Sequence, residues 1–233
     1  MEGKKLVAEH ISEIRNRTII CISIFAIGVF YGFYFSDTLI YFSTSPLHQP
    51  LYYSSPAGGV AITFKIAIYF GLIVALPVIT YHIIKFLQPA FENISDQHVL
   101  LWIYISYFLM LSGMTFAYFA IIPASLSFLN DFSSPQIEAL ITADNYFSFI
   151  GIYLLAFAIF FQLPLILLIV NKVNRLSPKL LLKQEKIVIL ASFIVAAVIS
   201  PTVDVVNQFF IAIPLIFLYQ VSIIIIWFSN RIK

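Results

Sequence analysis

A chain of 233 residues of which 61% are hydrophobic and only 10% charged cannot dress a water-soluble globule in polar surface. Its apolar residues fall in runs near the roughly twenty residues a helix needs to cross a bilayer, and the ten-residue alternation of an outer-membrane barrel is absent. The net charge of +2 conceals a strong asymmetry in where the basic residues stand, and the one cysteine, Cys21, lies inside the first apolar run, so no internal disulfide can form.

Ahead of that run, Leu6, Val7, His10, Ile11 and Ile14 recur at helical spacing and predict a short amphipathic helix. Glu9, Glu13 and Arg17 fall four apart and share one face, with Glu13 N-terminal to Arg17, the favourable order for an ion pair. Read locally, this is an anchoring helix whose pair contributes roughly 0.2–0.5 kcal/mol. The residues before Thr18 are charged and lack a short apolar core, so the first span itself is expected to direct insertion.

Six spans are predicted, at about 18–35, 60–87, 98–122, 146–170, 187–200 and 208–228, in a single all-α polytopic domain covering 1–233. Gly28 and Gly32 in the first span form a G-x-x-x-G pair, which either marks a close helix contact or reflects the ordinary abundance of glycine in membrane helices. The fifth span reaches only about 21 Å at 1.5 Å per residue, short of a hydrocarbon core near 30 Å. It is therefore expected to make, with the sixth, a short helix pair in a locally thinned bilayer. Prolines at 77, 123, 164 and 214 lie in or beside four of the spans, and each is expected to kink or end its helix.

Lys4, Lys5, Arg15, Arg17, Lys85, Lys172, Arg175, Lys179, Lys183, Lys186, Arg231 and Lys233 fall on one side of this topology, which leaves only Lys65 of the thirteen basic residues elsewhere. By the positive-inside rule both termini are expected in the cytoplasm of a cell-membrane protein.

The sequence holds no metal-ligand cluster, nucleophile motif, phosphate loop or nucleotide fingerprint, and so calls for no cofactor, catalytic residue or nucleic-acid partner. His10, His48, His82 and His98 are scattered at span ends, where interfacial packing suffices. Apart from Lys65, no ionisable residue sits deep in a span, which argues against an ion-coupled solute transporter. The deep polar groups are the amides Gln162 and Gln220, suited to gluing helices together. A small-solute permease or channel stays open as the alternative reading, and a membrane enzyme is more remote for want of a nucleophile–base pair.

Taken in order, several pieces carry a resemblance. They are His10-x-x-Glu13-Ile14-Arg15-x-Arg17, Pro46-Leu47 with Pro56, Lys65, Pro77 with Tyr81, and Phe86-x-x-Pro89. After them come Phe119 to Pro123, Phe161-Gln162-Leu163-Pro164, Pro201-x-x-Asp204-x-x-x-Gln208, Ala212-Ile-Pro214-Leu215 and Leu218-Tyr219-Gln220. At these spacings, with six spans, the chain resembles the TatC family, the multi-spanning receptor subunit of twin-arginine protein translocation, from His10 to Ser222.

The resemblance implies recognition of twin-arginine signal peptides and export of folded proteins driven by the proton gradient. It implies a signal-binding surface of Glu13, Arg15, Arg17, Phe86 and Pro89. The family's second acid falls on Ser95 here, so Asp96, ahead of Glu92, is expected to supply the missing carboxylate. Contacts to single-span TatA/TatB-type subunits are implied at Gln162, Pro201, Asp204 and Gln208, within a hetero- and homo-oligomer in the bilayer. Pro46 and Pro56 are implied as outer-loop positions. The sequence departs from the family in having Gln162 and Gln220 where glutamates are usual, and Gly58 where a glutamate is common, so hydrogen bonding is expected to replace charge at Gln162.

Overall fold

In hydrocarbon a backbone has no water to bond, so long apolar runs close their hydrogen bonds internally as helix. The computed structural model describes residues 2–47, 49–87, 96–130, 140–200 and 204–231. Its helices, in chain order, are α1 Glu2–Tyr34, α2 Ser36–Thr44, α3 Gly58–Leu87, α4 Asp96–Phe116, α5 Ile122–Asn130, α6 Ala143–Phe160, α7 Leu163–Val173, α8 Pro178–Lys183, α9 Glu185–Ile199 and α10 Val205–Arg231. Among the described residues the only extended pairing is an isolated parallel bridge between Tyr52 and Thr142. Five stretches are long and apolar enough to cross a membrane: Ile14–Tyr34, Gly58–Lys85, Leu100–Asn130, Ala143–Lys172 and Val205–Arg231. The protein is an all-α multi-pass membrane protein.

Successive long helices run antiparallel, which gives the bundle two ends. At one end the middle of α1 meets the end of α3, where Arg17 Nη1 donates to the His82 carbonyl at 3.3 Å. The last turn of α3, the start of α4 and the end of α7 meet there too, through Ile84, Trp102 and Ile169. Asn230 near the end of α10 joins them, bonding Asn171 and the Leu176 carbonyl at 3.0 and 3.1 Å. This is called the basic end below, for Lys85, Lys172, Arg175 and Arg231. The opposite, loop end carries residues 36–57 stitched onto α6. Tyr52 N–H donates to the Ile141 carbonyl, Ala143 N–H to the Tyr52 carbonyl, and the Tyr146 and Tyr118 hydroxyls to the carbonyls of Ser43 and Phe42. Lys65 belongs to this end and has an acid partner, Asp144, with the Ser148 Oγ 2.7 Å away.

The G-x-x-x-G pair is a close helix contact. A β-carbon at Gly28 would stand 2.9 Å from the Gly71 Cα, and one at Gly32 2.9 Å from the Ala67 Cα, so only small residues let α1 and α3 approach this far. Gly113 plays the same part between α4 and α6, where its β-carbon would meet the Phe157 carbonyl oxygen.

The structure corrects several boundaries. The amphipathic helix and first span are one continuous helix, α1. The outer loop contains α2, and the basic loop contains α8. The third span does not stop at Pro123. A π turn over Ala117–Ile121, closed by Ile122 N–H to the Ala117 carbonyl, widens the coil ahead of the proline, and α5 continues to Asn130. The fourth span, in which Pro164 is expected to kink or end the helix, is split at Phe161–Gln162, with Pro164 in the first turn of α7. Pro77 and Pro214 lie inside helices that run on past them. The expected short pair is one short helix and one long one, since α9 has 15 residues and α10 has 27. The reason is the cap on α10: Asp204 Oδ1 accepts the Asn207 N–H at 2.7 Å, so the helix starts at Val205 instead of Gln208.

At the α6–α7 break, Gln162 N–H bonds the Ile159 carbonyl, three residues back, which strands the Ala158 carbonyl. The Gln162 side chain takes over: Nε2 donates to the carbonyls of Ala158 (3.4 Å) and Ser106 (3.1 Å), while Oε1 accepts from Ser106 Oγ at 2.8 Å. Gln162 and Ser106 are both buried, so this reciprocal pair ties α4 to the break.

Gly71→Val places a side chain where a β-carbon already finds Val29 Cγ2 at 2.6 Å. It is expected to destabilise the solubilised protein by about 1–3 kcal/mol. Gly59→Ala, whose nearest new neighbour is the Tyr53 ring at 3.8 Å, should melt as the parent does. Identical melting of both variants would remove the α1–α3 approach as a stabilising contact. For the buried amide, a double-mutant cycle of Ser106→Ala and Gln162→Ala is expected to yield a coupling of roughly 0.6–1.7 kcal/mol, the span seen for interhelical hydrogen bonds in membranes. A coupling near zero would mean the pair does not hold the break.

Candidate functional site

The candidate site lies at the basic end, where the Glu13–Arg17 turn of α1 meets the last turn of α3 and the start of α4. Helical register places Glu13 one turn before Arg17 on the same face of α1. Arg17 is half-buried and reaches the α3 backbone at His82, while Arg15 points out exposed. On α3, Tyr81 stacks edge-on against His82 with ring centroids 5.0 Å apart, and Lys85 Nζ donates to the Tyr81 hydroxyl at 3.2 Å. Phe86 follows in the last turn, and α4 begins at Asp96. The side chains of Glu13, Phe86 and Asp96 lie outside what the structure describes, and Pro89 and Glu92 lie outside the described residues altogether. The backbone therefore brings the elements carrying Glu13, Arg15, Arg17, Phe86 and Asp96 to one end.

Chemically, a carboxylate here would stand among fixed cations at a membrane surface. Such a group is a poor partner for a lone point charge already matched nearby, and a good one for a planar guanidinium that binds bidentately. Beyond α1 and α3 the cations are spread over the same end: Lys172 in the last turn of α7, and Arg231 lying 3.7 Å over the Trp227 ring in the last turn of α10.

The residues expected to meet partner helices separate. Gln162 is turned into the bundle and spends its bonds on Ser106 and Ala158. Asp204 caps α10, with Oδ2 accepting from Asn207 Nδ2 at 2.8 Å. Gln208 is half-buried in the first turn of α10, and Pro201 lies outside the described residues. Gln220 donates to Glu185 at the start of α9, tying α9 to α10, and the neighbouring Tyr219 hydroxyl donates to the Leu181 carbonyl at 2.8 Å, tying α8 to α10. At the loop end Pro46 follows α2 in a turn and Pro56 is exposed just before α3. The sequence reading missed Ser106, Asp144 and Tyr146. An isolated serine or tyrosine in an apolar run carries no periodic signal, and Asp144 pairs with Lys65 across 79 positions of chain.

Among the described residues no group of three or more His, Cys, Asp or Glu could hold a metal ion. The model of the Sec-independent protein translocase protein TatC matches residues 9–214. The chain is 32% identical to the Sec-independent protein translocase protein TatC of Aquifex aeolicus, over 97% of both chains. It is 31% identical to that of Carboxydothermus hydrogenoformans, over 97% of this chain and 94% of the relative. A crystal structure of the twin arginine translocase receptor TatC superposes with a TM-score of 0.86 at 32% identity, covering 95% of this chain and all of the other. The chain belongs to the TatC family of Sec-independent protein translocase proteins, and is a transport component and not an enzyme.

Proposed function

We propose that this chain is the receptor subunit that binds twin-arginine signal peptides at its basic end, with that end in the cytoplasm and α9 as a sixth, short crossing. The observation that carries the reading is the convergence of the Glu13–Arg17 turn of α1, the last turn of α3 and the first turn of α4. Twelve of the thirteen basic residues belong to the side of the topology that includes this end, which is the asymmetry expected of a cytoplasmic face. The exception, Lys65, is paired with Asp144 at the loop end.

In this reading Glu13 and a second carboxylate, Asp96 ahead of Glu92, receive the two signal guanidiniums. Arg15 and Arg17 hold the acids in register and exclude like-charged sequences that lack the bidentate fork. Phe86 and Pro89 supply apolar contact beside them. Single-span TatA/TatB-type subunits dock along α9 and α10 near Pro201, Asp204 and Gln208, where the short α9 leaves α10 exposed at Val205 and Phe209. Gln162 enters this docking only through the break it holds, because its amide is already bonded within the chain. Pro46 and Pro56 set the ends of the loop-end cap. The transmembrane proton gradient drives export in this reading, with the complex a hetero- and homo-oligomer in the cell membrane.

Glu13→Ala combined with Asp96→Ala is expected to lower binding of a twin-arginine signal peptide by on the order of tenfold or more, since each charge-assisted bond contributes about 1.5–3 kcal/mol. The same loss should appear when the signal's arginine pair becomes a lysine pair against the parent chain, because lysine cannot reproduce the planar fork. Binding measured on the purified complex that is indifferent to both changes would remove the site assignment.

A further inference from the structure

Helix α9 has 15 residues and α10 has 27, so the two cannot be level at both ends. Two contacts fix their antiparallel register: the Phe193 and Phe209 rings lie 5.0 Å apart, and Gln220 donates to Glu185, the first residue of α9. The mismatch therefore falls at the basic end. From position 220 to 231, α10 rises about 16 Å beyond the start of α9. At 3.6 residues per turn, Ile224, Trp227 and Arg231 continue the stripe of α10 that begins at Gln220. With α9 already ended they line an open notch: Ile224 is 54% and Trp227 39% exposed, and Arg231 is exposed as well. The floor is the α8–α9 turn, held by Leu181, which is buried against Tyr219, Ile223 and Ile226. The Arg231 guanidinium lies 3.7 Å from the centroid of the Trp227 ring, folded back one turn toward the floor. Lys183 and Lys186 stand exposed at the floor on either side of Glu185, the acid that the Gln220 amide already engages. Among the described residues no carboxylate pairs with Lys183, Lys186 or Arg231. Leu180, Leu182 and Ile187 beside the lysines are exposed too, so cationic and apolar groups share one surface.

We propose that this notch binds the phosphate of an anionic phospholipid, between Arg231 on the wall and Lys183 and Lys186 on the floor. The inference rests on the reading of α9 as a short crossing. A helix of about 22 Å makes the bilayer thin beside it, which draws headgroups down to the level of the floor. There the phosphate meets three cations with no acid of their own, while the acyl chains lie along the exposed Ile187 and Leu190. A zwitterionic headgroup brings a further cation to the same place and is disfavoured. Basic pockets between membrane helices bind anionic headgroups for this reason. A protein helix in the notch would have to present acids at two levels, whereas one flexible headgroup reaches both wall and floor.

The test places the full chain in nanodiscs of phosphatidylcholine and phosphatidylglycerol, with brominated acyl chains on one lipid or the other at equal mole fraction. Trp227 fluorescence is the difference between the parent and Trp227→Phe, and the second tryptophan, Trp102, is buried. Brominated phosphatidylglycerol is expected to quench Trp227 several-fold more than brominated phosphatidylcholine, and raised salt should narrow the ratio. Lys183→Gln with Lys186→Gln should bring the ratio close to one, and Arg231→Gln should do so independently if the double variant does not accumulate. Lys172→Gln with Arg175→Gln, at the same end on α7 and the loop after it, should leave the ratio unchanged. Equal quenching by the two lipids, or a preference that survives the notch substitutions, overturns the proposal. So does an equal loss in the Lys172 and Arg175 variant, which would mean a general surface field. Loss of the preference on adding inorganic phosphate at constant ionic strength assigns the notch to a free anion and overturns the lipid. Quenching by neither lipid puts Trp227 outside the bilayer and removes the short-crossing reading as well.

Discussion

The structure depends on one constraint: inside a bilayer every backbone N–H and C=O must find its partner within the protein. Unbroken helix meets it by default, so each interruption needs a local answer, and each has one. Before Pro123 the answer is a π turn, which gives the Ile122 N–H a partner one residue farther back. At Phe161–Gln162 it is a side chain that takes the stranded Ala158 carbonyl. At the start of α10 it is Asp204, standing where an orphan N–H would otherwise face the core. The hydroxyls of Thr63, Thr80 and Ser222 inside the spans obey the same rule, each bonding a carbonyl four residues back.

With the backbone satisfied, close approach decides how the helices associate, because lipid gives no hydrophobic drive between them. The tightest approaches occur where glycine removes the side chain, Gly28 and Gly71 between α1 and α3, and Gly113 between α4 and α6. These contacts also set the geometry of the basic end. The α1–α3 seam is antiparallel, so bringing Gly28 onto Gly71 carries the Glu13–Arg17 turn to the last turn of α3, roughly three to four helical turns away. The site at the basic end is thus a consequence of small residues in mid-membrane.

Legibility in the sequence followed the range of the interaction. The all-α multi-span character, the charge asymmetry and the family pattern are properties of runs and short spacings, and they were readable directly. The break at Gln162 was not, because a proline at 164 is compatible with either a kink or a new helix start, and the choice depends on Ser106, 56 residues away. The G-x-x-x-G pair could be read two ways until Gly71 and Ala67 were seen opposite it. Helix α2 was hidden because its nine residues sit in a stretch rich in turn-forming neighbours. Of the candidate site, the elements were readable from local pattern, while their convergence was expected only through the family resemblance, since it depends on pairings between distant segments.

The amide at 162 shows why a change from carboxylate to amide is not conservative in this setting. Gln162 donates twice, to the Ser106 and Ala158 carbonyls, and accepts once, from the Ser106 hydroxyl. An ionised carboxylate only accepts, so it could keep the serine hydroxyl but would oppose both carbonyls across a few ångströms of low dielectric. A glutamate at this position would have to stay protonated or swing out of the bundle toward water or a partner. The glutamine does neither, because its bonds are complete where it stands. In this chain the break in the fourth span is therefore fixed without charge.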